Sequence, residues 1–100
     1  MPFGLPEEAI AEIQAVLALY PEVEKAILYG SRATGGFKPE SGIDLTLVGA
    51  ELTRIHLLGI MSDLDDLLLP WMIDLSLFAA LDLPGLREHI ERAGLTLYER

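Results

Sequence analysis

Two aspartates stand inside runs that have no evident use for a charge. Asp44 lies in the middle of "GIDLTLVG" and Asp74 in the middle of "WMIDLSLF". A carboxylate in an apolar strand must be paired, hydrogen-bonded or bound to a cation. Two such strands side by side can bring both acids to one Mg²⁺, a hard ion that prefers oxygen donors. A third feature lies upstream, where the apolar stretch "AILYG" stops at Gly30 and Ser31 follows. A strand that ends in Gly-Ser before a helical turn aims backbone N–H groups at whatever lies in front of it. Gly30 lets a ligand approach the backbone closely. Ser31 adds a hydroxyl, and the positive end of the turn favours an anion. Taken singly, Gly-Ser is an ordinary turn, and each acid reads equally well as a solvent-facing or capping side chain. Together they outline a phosphate-and-metal site. Arg32, next to the turn, either reaches a phosphate oxygen or lies in solvent.

The elements that must position these residues follow from periodicity. Ile10, Ile13, Leu17 and Tyr20 recur at helical spacing, with Pro6, Glu7 and Glu8 suited to a first turn, so a helix is predicted over 6–20, ended by Pro21. A strand is predicted over about 24–30, and "SRATGG" is a turn or a single helical turn. In "GIDLTLVG", Ile43, Leu45 and Leu47 alternate with Gly42, Asp44 and Thr46. A helix is predicted over about 53–68 with Leu57, Met61, Leu64 and Leu68 inward. Residues 71–78 form a third strand. A last helix opens at Asp82, Leu83 and Pro84, turns Leu86, Ile90 and Ala93 inward, and ends with Gly94 as its C′ residue. "LTLYER" is a terminal strand or a loose tail. The expected class is α/β (α+β), a small mixed β-sheet with helices packed on it.

With 100 residues, 51% of them hydrophobic, the chain is expected to form one domain over 1–100 with an ample core. It has no cysteine, which excludes disulfides and thiolate metal sites and agrees with a cytoplasmic setting. "MPFGLPEEAI" has neither the basic start nor the apolar core of a signal peptide. No apolar run reaches the 18 or so residues of a membrane span, so no membrane partner is expected. The net charge of −9 argues against a nucleic acid partner, which demands a basic face, and suits a metal ion or a basic protein surface.

The stretch "LYGSRATG…PESGIDLTLVG" resembles the core motif of the minimal nucleotidyltransferases, within the DNA polymerase β-like nucleotidyltransferase superfamily. The family pattern is an apolar residue, Gly-Ser, a loop, Ser-Asp-x-Asp-apolar, then a later apolar-Asp-apolar. "ELTRIHLLGIMSDLDDLLLPWMIDLSLF" and "LREHIERAGLTLYER" extend the likeness from about residue 5 to 100. The resemblance implies a polymerase β palm-like fold, with Gly30 and Ser31 holding a triphosphate, Asp44 binding Mg²⁺, and Asp74 helping to activate an attacking hydroxyl. It implies transfer of a nucleotide, AMP from ATP, and a helical HEPN-type partner protein that carries the acceptor, as antitoxin and toxin of one pair. A homo-oligomer is compatible with this reading.

One position departs from the pattern. The family has Asp where this chain has Gly42. Three outcomes stay open: an inactive protein, a substitute oxygen from Glu40 or Thr46, or a water in the gap with slow activity. A nucleotide- and partner-binding subunit that acts by contact alone is therefore the alternative to an enzyme. The other candidates have plainer expectations. His56 and His89 suit surface positions rather than general-base or ligand roles. Asp63, Asp65 and Asp66 suit a solvated helix end rather than a basic partner's footprint. Trp71 and Tyr98 suit packing rather than stacking on a base.

Overall fold

A computed structural model describes residues 1–100. After a 3₁₀ turn at Pro2–Gly4, the order is α1 (Glu7–Ala18), β1 (Lys25–Tyr29), α2 (Ser31–Thr34), β2 (Ile43–Val48), α3 (Arg54–Asp65), β3 (Ile73–Leu77), a 3₁₀ turn at Phe78–Ala80, α4 (Pro84–Ala93) and β4 (Leu95–Glu99). The four strands make one sheet in the order β3-β2-β1-β4. β1 runs antiparallel to both β2 and β4, whereas β2 and β3 are parallel. A parallel neighbour needs a crossover connection, and α3 supplies it. The mixed sheet of the expected class is present, and "LTLYER" resolves as a strand rather than a tail. No helix is long and apolar enough to cross a membrane.

Alternation along the strands gives the sheet two different faces. Ala26, Leu28, Ile43, Leu45, Leu47 and Leu75 pack with Ile13 and Leu17 of α1 and Ile60 and Leu64 of α3 in one buried cluster. The opposite face carries Ile27, Tyr29, Asp44, Thr46, Asp74 and Ser76, because successive residues of a strand point to opposite sides. α4 covers part of that second face. Its buried Ile90 stands outside the α1/α3 cluster, and its C-terminal end meets β1 at Ile27. The rest of the face, around the two aspartates, is left open.

Three local expectations change. On α3 the fully buried positions are Ile60 and Leu64, while Met61 is 39% exposed. Leu68 lies past the end of the helix, 86% exposed and at φ 55°. A leucine in that left-handed region costs about 1–2 kcal/mol. Gly59, an odd residue for a helix interior, leaves room for Tyr20, whose hydroxyl would lie 3.0 Å from a Cβ there. Gly94 ends α4 as expected, its N–H donating to the Ile90 carbonyl, but its φ and ψ of −68° and 148° do not call for glycine. It is required by close packing instead. A Cβ on Gly94 would lie 2.4 Å from the Ile90 carbonyl oxygen and 2.5 Å from Ile27 Cγ2.

That contact gives a test of how α4 is held. Gly94→Ala should destabilise the protein by about 1–3 kcal/mol through overpacking, read as a fall in Tm of roughly 5–15 °C. Gly85→Ala in the same helix has open space around its new methyl and should raise stability by about 0.5–1 kcal/mol. Equal melting of the two variants would contradict this account of the α4 docking.

Candidate active site

The site is built where β1, β2 and β3 end together. The parallel register sets Asp44 directly beside Asp74, and the antiparallel one sets Asp44 beside Tyr29. All three side chains belong to the open face. The next register pair on that face is Thr46 with Ser76. The Ser76 hydroxyl donates to Thr46 Oγ1 at 3.0 Å, and Thr46 is fully buried. A neutral hydroxyl pair thus lies beneath a pair of acids and fixes the two strands in register from the second face.

Gly30 is the residue that lets the chain turn over the acids. Its φ of 79° with ψ −154° lies where other residues rarely go. A Cβ there would also fall 2.6 Å from Asp44 Oδ2. Its carbonyl accepts from the N–H groups of Ala33 and Thr34, which starts α2. First-turn N–H groups of a helix have no partner within the helix, so the Ser31–Arg32 backbone is available to an acceptor in front of it. The structure brings Gly30, Ser31, Asp44 and Asp74 to one place.

No basic side chain balances the acids. The Arg92–Glu88 ion pair at 3.1 Å and the 3.7 Å contact of His56 with Glu22 lie elsewhere. Burial, and secondarily the Asp74 carboxylate, pushes the Asp44 carboxyl above its ordinary pKa. The Tyr29 hydroxyl is also raised, chiefly by burial; the Ser76 hydroxyl opposes that shift, and the charges of Asp74 and Asp44 add to it. Two adjacent carboxylates without a counter-cation are a donor set that fits a divalent ion. No third carboxylate or histidine joins them into a cluster of three.

Gly42 directly precedes β2 and has no positive φ. The one atom near a Cβ placed there is the Met72 carbonyl oxygen at 3.3 Å. A side chain fits after a shift of a few tenths of an ångström, so the missing carboxylate is a matter of residue type, not of space. Neither substitute oxygen takes its place. Glu40 lines a groove with Trp71, Met72 and Asp65, away from the acid pair, and the Thr46 hydroxyl is engaged by Ser76.

Arg32 needs a correction. It is 2% exposed, so it is no surface arginine. Nor is it free to reach a phosphate. Its Nε donates to the Ser41 carbonyl at 3.1 Å, Nη1 to those of Phe3 at 3.0 Å and Gly4 at 3.4 Å, and Nη2 to those of Ser41 at 2.8 Å and Pro39 at 3.2 Å. A guanidinium has five N–H donors, and all five are used. The rings of Phe37 and Trp71 flank it, with centroids at 5.1 and 5.8 Å. Arg32 is a clamp that ties the N-terminal turn and the loop before β2 to α2.

Other residues settle into supporting roles. His56 accepts from the Thr53 N–H at 3.0 Å and caps α3. Asp63 accepts from the Tyr20 hydroxyl at 2.7 Å. Trp71 packs against the core and donates to the Pro39 carbonyl at 2.9 Å. Tyr29 and Ser76 are site-face residues that the sequence did not single out. Their parity with Asp44 and Asp74 was the available signal, but it needs the strand pairing to be read.

A nucleotidyltransferase is the class that this sheet, turn and acid pair define. The family model described as Polymerase beta, Nucleotidyltransferase matches residues 11–100, and the chain belongs to that family. No curated protein matches it in sequence. Among solved structures, it is similar to a toxin–antitoxin complex with AMP-PNP, at TM-score 0.70 and 22% identity over 96% of this chain and 75% of the other. A complex of tri-AMPylated Shewanella oneidensis HEPN toxin with MNT antitoxin gives TM-score 0.69 and 19% identity over 94% and 72%. An MntA toxin–antitoxin complex in which two aspartates, two positions apart, are replaced by glutamate gives 0.68 and 20% over 96% and 75%. At these identities the likeness is one of fold.

Two predictions follow from the geometry. Arg32→Leu strands at least three carbonyls and should cost about 3 kcal/mol or more; Arg32→Lys, without the planar fork, should recover only part of it, as denaturant melts would show. The second concerns Asp44. Its raised pKa means that the native state holds this proton more tightly than the unfolded chain. Stability therefore falls as pH climbs from the ordinary carboxylate range through the raised Asp44 value. Asp44→Asn should remove that loss, raising Tm at pH 7 in metal-free buffer. Added Mg²⁺ should stabilise the parent protein and leave the variant unmoved.

Proposed function

We propose that the chain, acting as one minimal domain, transfers AMP from ATP to a hydroxyl on a HEPN-type partner protein, at a rate held low by Gly42. The observation that carries this reading is Asp44 lying directly against Gly30 while it is the register partner of Asp74 on its other side. The turn offers N–H groups and the Ser31 hydroxyl to phosphate oxygens. Asp44, nearest to the turn, faces the α-phosphate. Asp74, on the far side, accepts the proton of the acceptor hydroxyl as its oxygen attacks the α-phosphorus. The bond from that phosphorus to the bridging oxygen breaks, and pyrophosphate leaves in line. Mg²⁺, held by Asp44 and Asp74, would neutralise the triphosphate and stabilise the attacking and leaving oxygens.

The nucleotide and the partner are taken from the neighbours, where AMP-PNP and an AMPylated HEPN toxin accompany the shared fold. The acidic net charge of −9 suits a protein acceptor better than a nucleic acid one. The substituted aspartates of the third neighbour have the spacing of Gly42 and Asp44. Gly42 also favours a second reading, in which the chain binds nucleotide and neutralises its partner by contact alone.

Incubation of the HEPN-type partner with labelled ATP and Mg²⁺ separates these readings. The parent chain should label the partner at least 100-fold more slowly than Gly42→Asp, a loss of about 2.7 kcal/mol of transition-state stabilisation, and Asp74→Asn should abolish both. Equal labelling by the parent and Gly42→Asp would refute the role given to position 42. Labelling by neither would leave the contact reading.

A further inference from the structure

The sheet has two edges, β4 and β3. At β4 the pairing with β1 is irregular, and the Leu97 carbonyl accepts from Gln14 Nε2 at 2.8 Å. β3 is regular and bare. The Ile43 N–H donates to the Met72 carbonyl, and successive residues of a strand turn their backbone groups to opposite sides. Met72, Asp74 and Ser76 therefore face β2. Ile73 and Leu75 point their N–H and C=O groups outward, and Leu77 its N–H. No turn, loop or side-chain hydrogen bond reaches these groups. A cavity of about 310 Å³ beside Leu75 and Leu77 leaves that end of the edge uncovered. Such an edge is a template for another strand.

α3 runs back along the same edge. Arg54 and Leu57 border Leu75 and Leu77, while Leu64 and Asp65 border Met72 and Ile73. The flank of α3 that meets α1 is marked by Gly59 and Asp63, both against Tyr20. On the other flank, at helical spacing, lie Arg54, Leu58, Met61 and Asp65, all exposed. Neither charge suits its place in the helix. An arginine in the first turn and an aspartate in the last oppose the macrodipole. Neither side chain has an ion-pair partner within the chain.

A two-fold axis makes this edge its own complement. We infer that two copies of the chain form a symmetric dimer through β3 and α3. With Leu75 on the axis, the two β3 strands run antiparallel. Leu75 then stands opposite Leu75, Ile73 opposite Leu77, and Asp74 opposite Ser76, so no carboxylate directly faces its own copy. The outward groups of the two Leu75 residues pair with each other, and the Leu77 N–H meets the Ile73 carbonyl. The same axis reverses the stripe on α3. Arg54 comes against Asp65 of the second copy, and Leu58 against its Met61. A two-fold interface needs this reciprocity, and an apolar centre with charges at its rim is how interfaces are built. The sheet becomes continuous across both copies, with the two acid pairs on one face. The interface does not depend on nucleotide transfer.

Sedimentation of charge-reversed variants tests the dimer. Arg54→Glu sets two acids against each other at both ends of the α3 pair, and Asp65→Arg sets two guanidinium groups there. Each variant alone should raise the dissociation constant of the dimer at least tenfold. Mixed in equal amounts, the two should recombine with an affinity near that of the parent, because each then meets opposite charge at both contacts. Both substitutions agree with the helix dipole, so the far-UV spectra should stay unchanged. A parent chain still monomeric at about 1 mM, a dimer indifferent to both reversals, or single variants that fail to recombine would overturn the inference.

Discussion

The parallel register between β2 and β3 is the constraint on which the site depends. A shift of one residue would turn a strand's side chains to the opposite face. Asp44 or Asp74 would then enter the core, and a leucine would reach solvent. Both faces oppose the shift. On one, Ile43, Leu45 and Leu47 are buried against α1 and α3 together with Leu75. On the other, the Ser76–Thr46 hydroxyl bond matches only in the observed register. Burial fixes the pairing, and the pairing forces two like charges together without a neighbouring cation. Burial first, and the Asp74 charge second, raise the Asp44 pKa, and the arrangement is tolerated because the surrounding core over-determines the strands.

The loop before β2 is held by a different device. Residues 35–42 form neither helix nor strand, yet they deliver the chain to the first residue of the acid strand. Arg32 gathers carbonyls from the N-terminal turn and from Pro39 and Ser41, so two segments distant in sequence converge on one guanidinium. A planar donor fork suits this better than any apolar residue, because loop carbonyls cannot pair with each other. The Gly30–Ser31 turn and the approach to Gly42 are thereby tied together through α2. Arg32 serves the site without facing it.

Much of this was legible in the sequence, for physical reasons. Period-two alternation around Asp44 and Asp74 named the strands and marked both acids as anomalous, and the Gly-Ser stop marked the turn. Features that depend on remote partners were not legible. Arg32 looked outward because its carbonyl acceptors, at positions 3, 4, 39 and 41, meet only in the folded chain. Gly94 was legible as the end of the helix, but the Ile27 methyl that excludes a side chain there was not, because it comes from β1, far away in sequence. Met61 and Leu68 fitted a helical stripe on spacing alone, but α3 ends at Asp65 and its buried side runs through Ile60. Glu40 had the parity of a metal ligand, yet parity holds only within a strand, and β2 begins at Ile43.

Gly42 then acquires a definite physical meaning. Two carboxylates are register partners on β2 and β3, and the residue that precedes β2 offers only a hydrogen. The backbone at 42 is ordinary and the space above it is nearly clear, so nothing in the fold compelled the loss of the side chain. A glycine retained for a turn or a close approach would show a positive φ or a crowded Cβ, as Gly30 shows both. Gly42 shows no positive φ and one tight contact, to the Met72 carbonyl oxygen. The substitution therefore acts on the charge of the site while sparing its architecture. The Gly30 turn and the Asp44–Asp74 pair remain as the fold places them, and what position 42 withholds is the negative charge of one more side chain beside them.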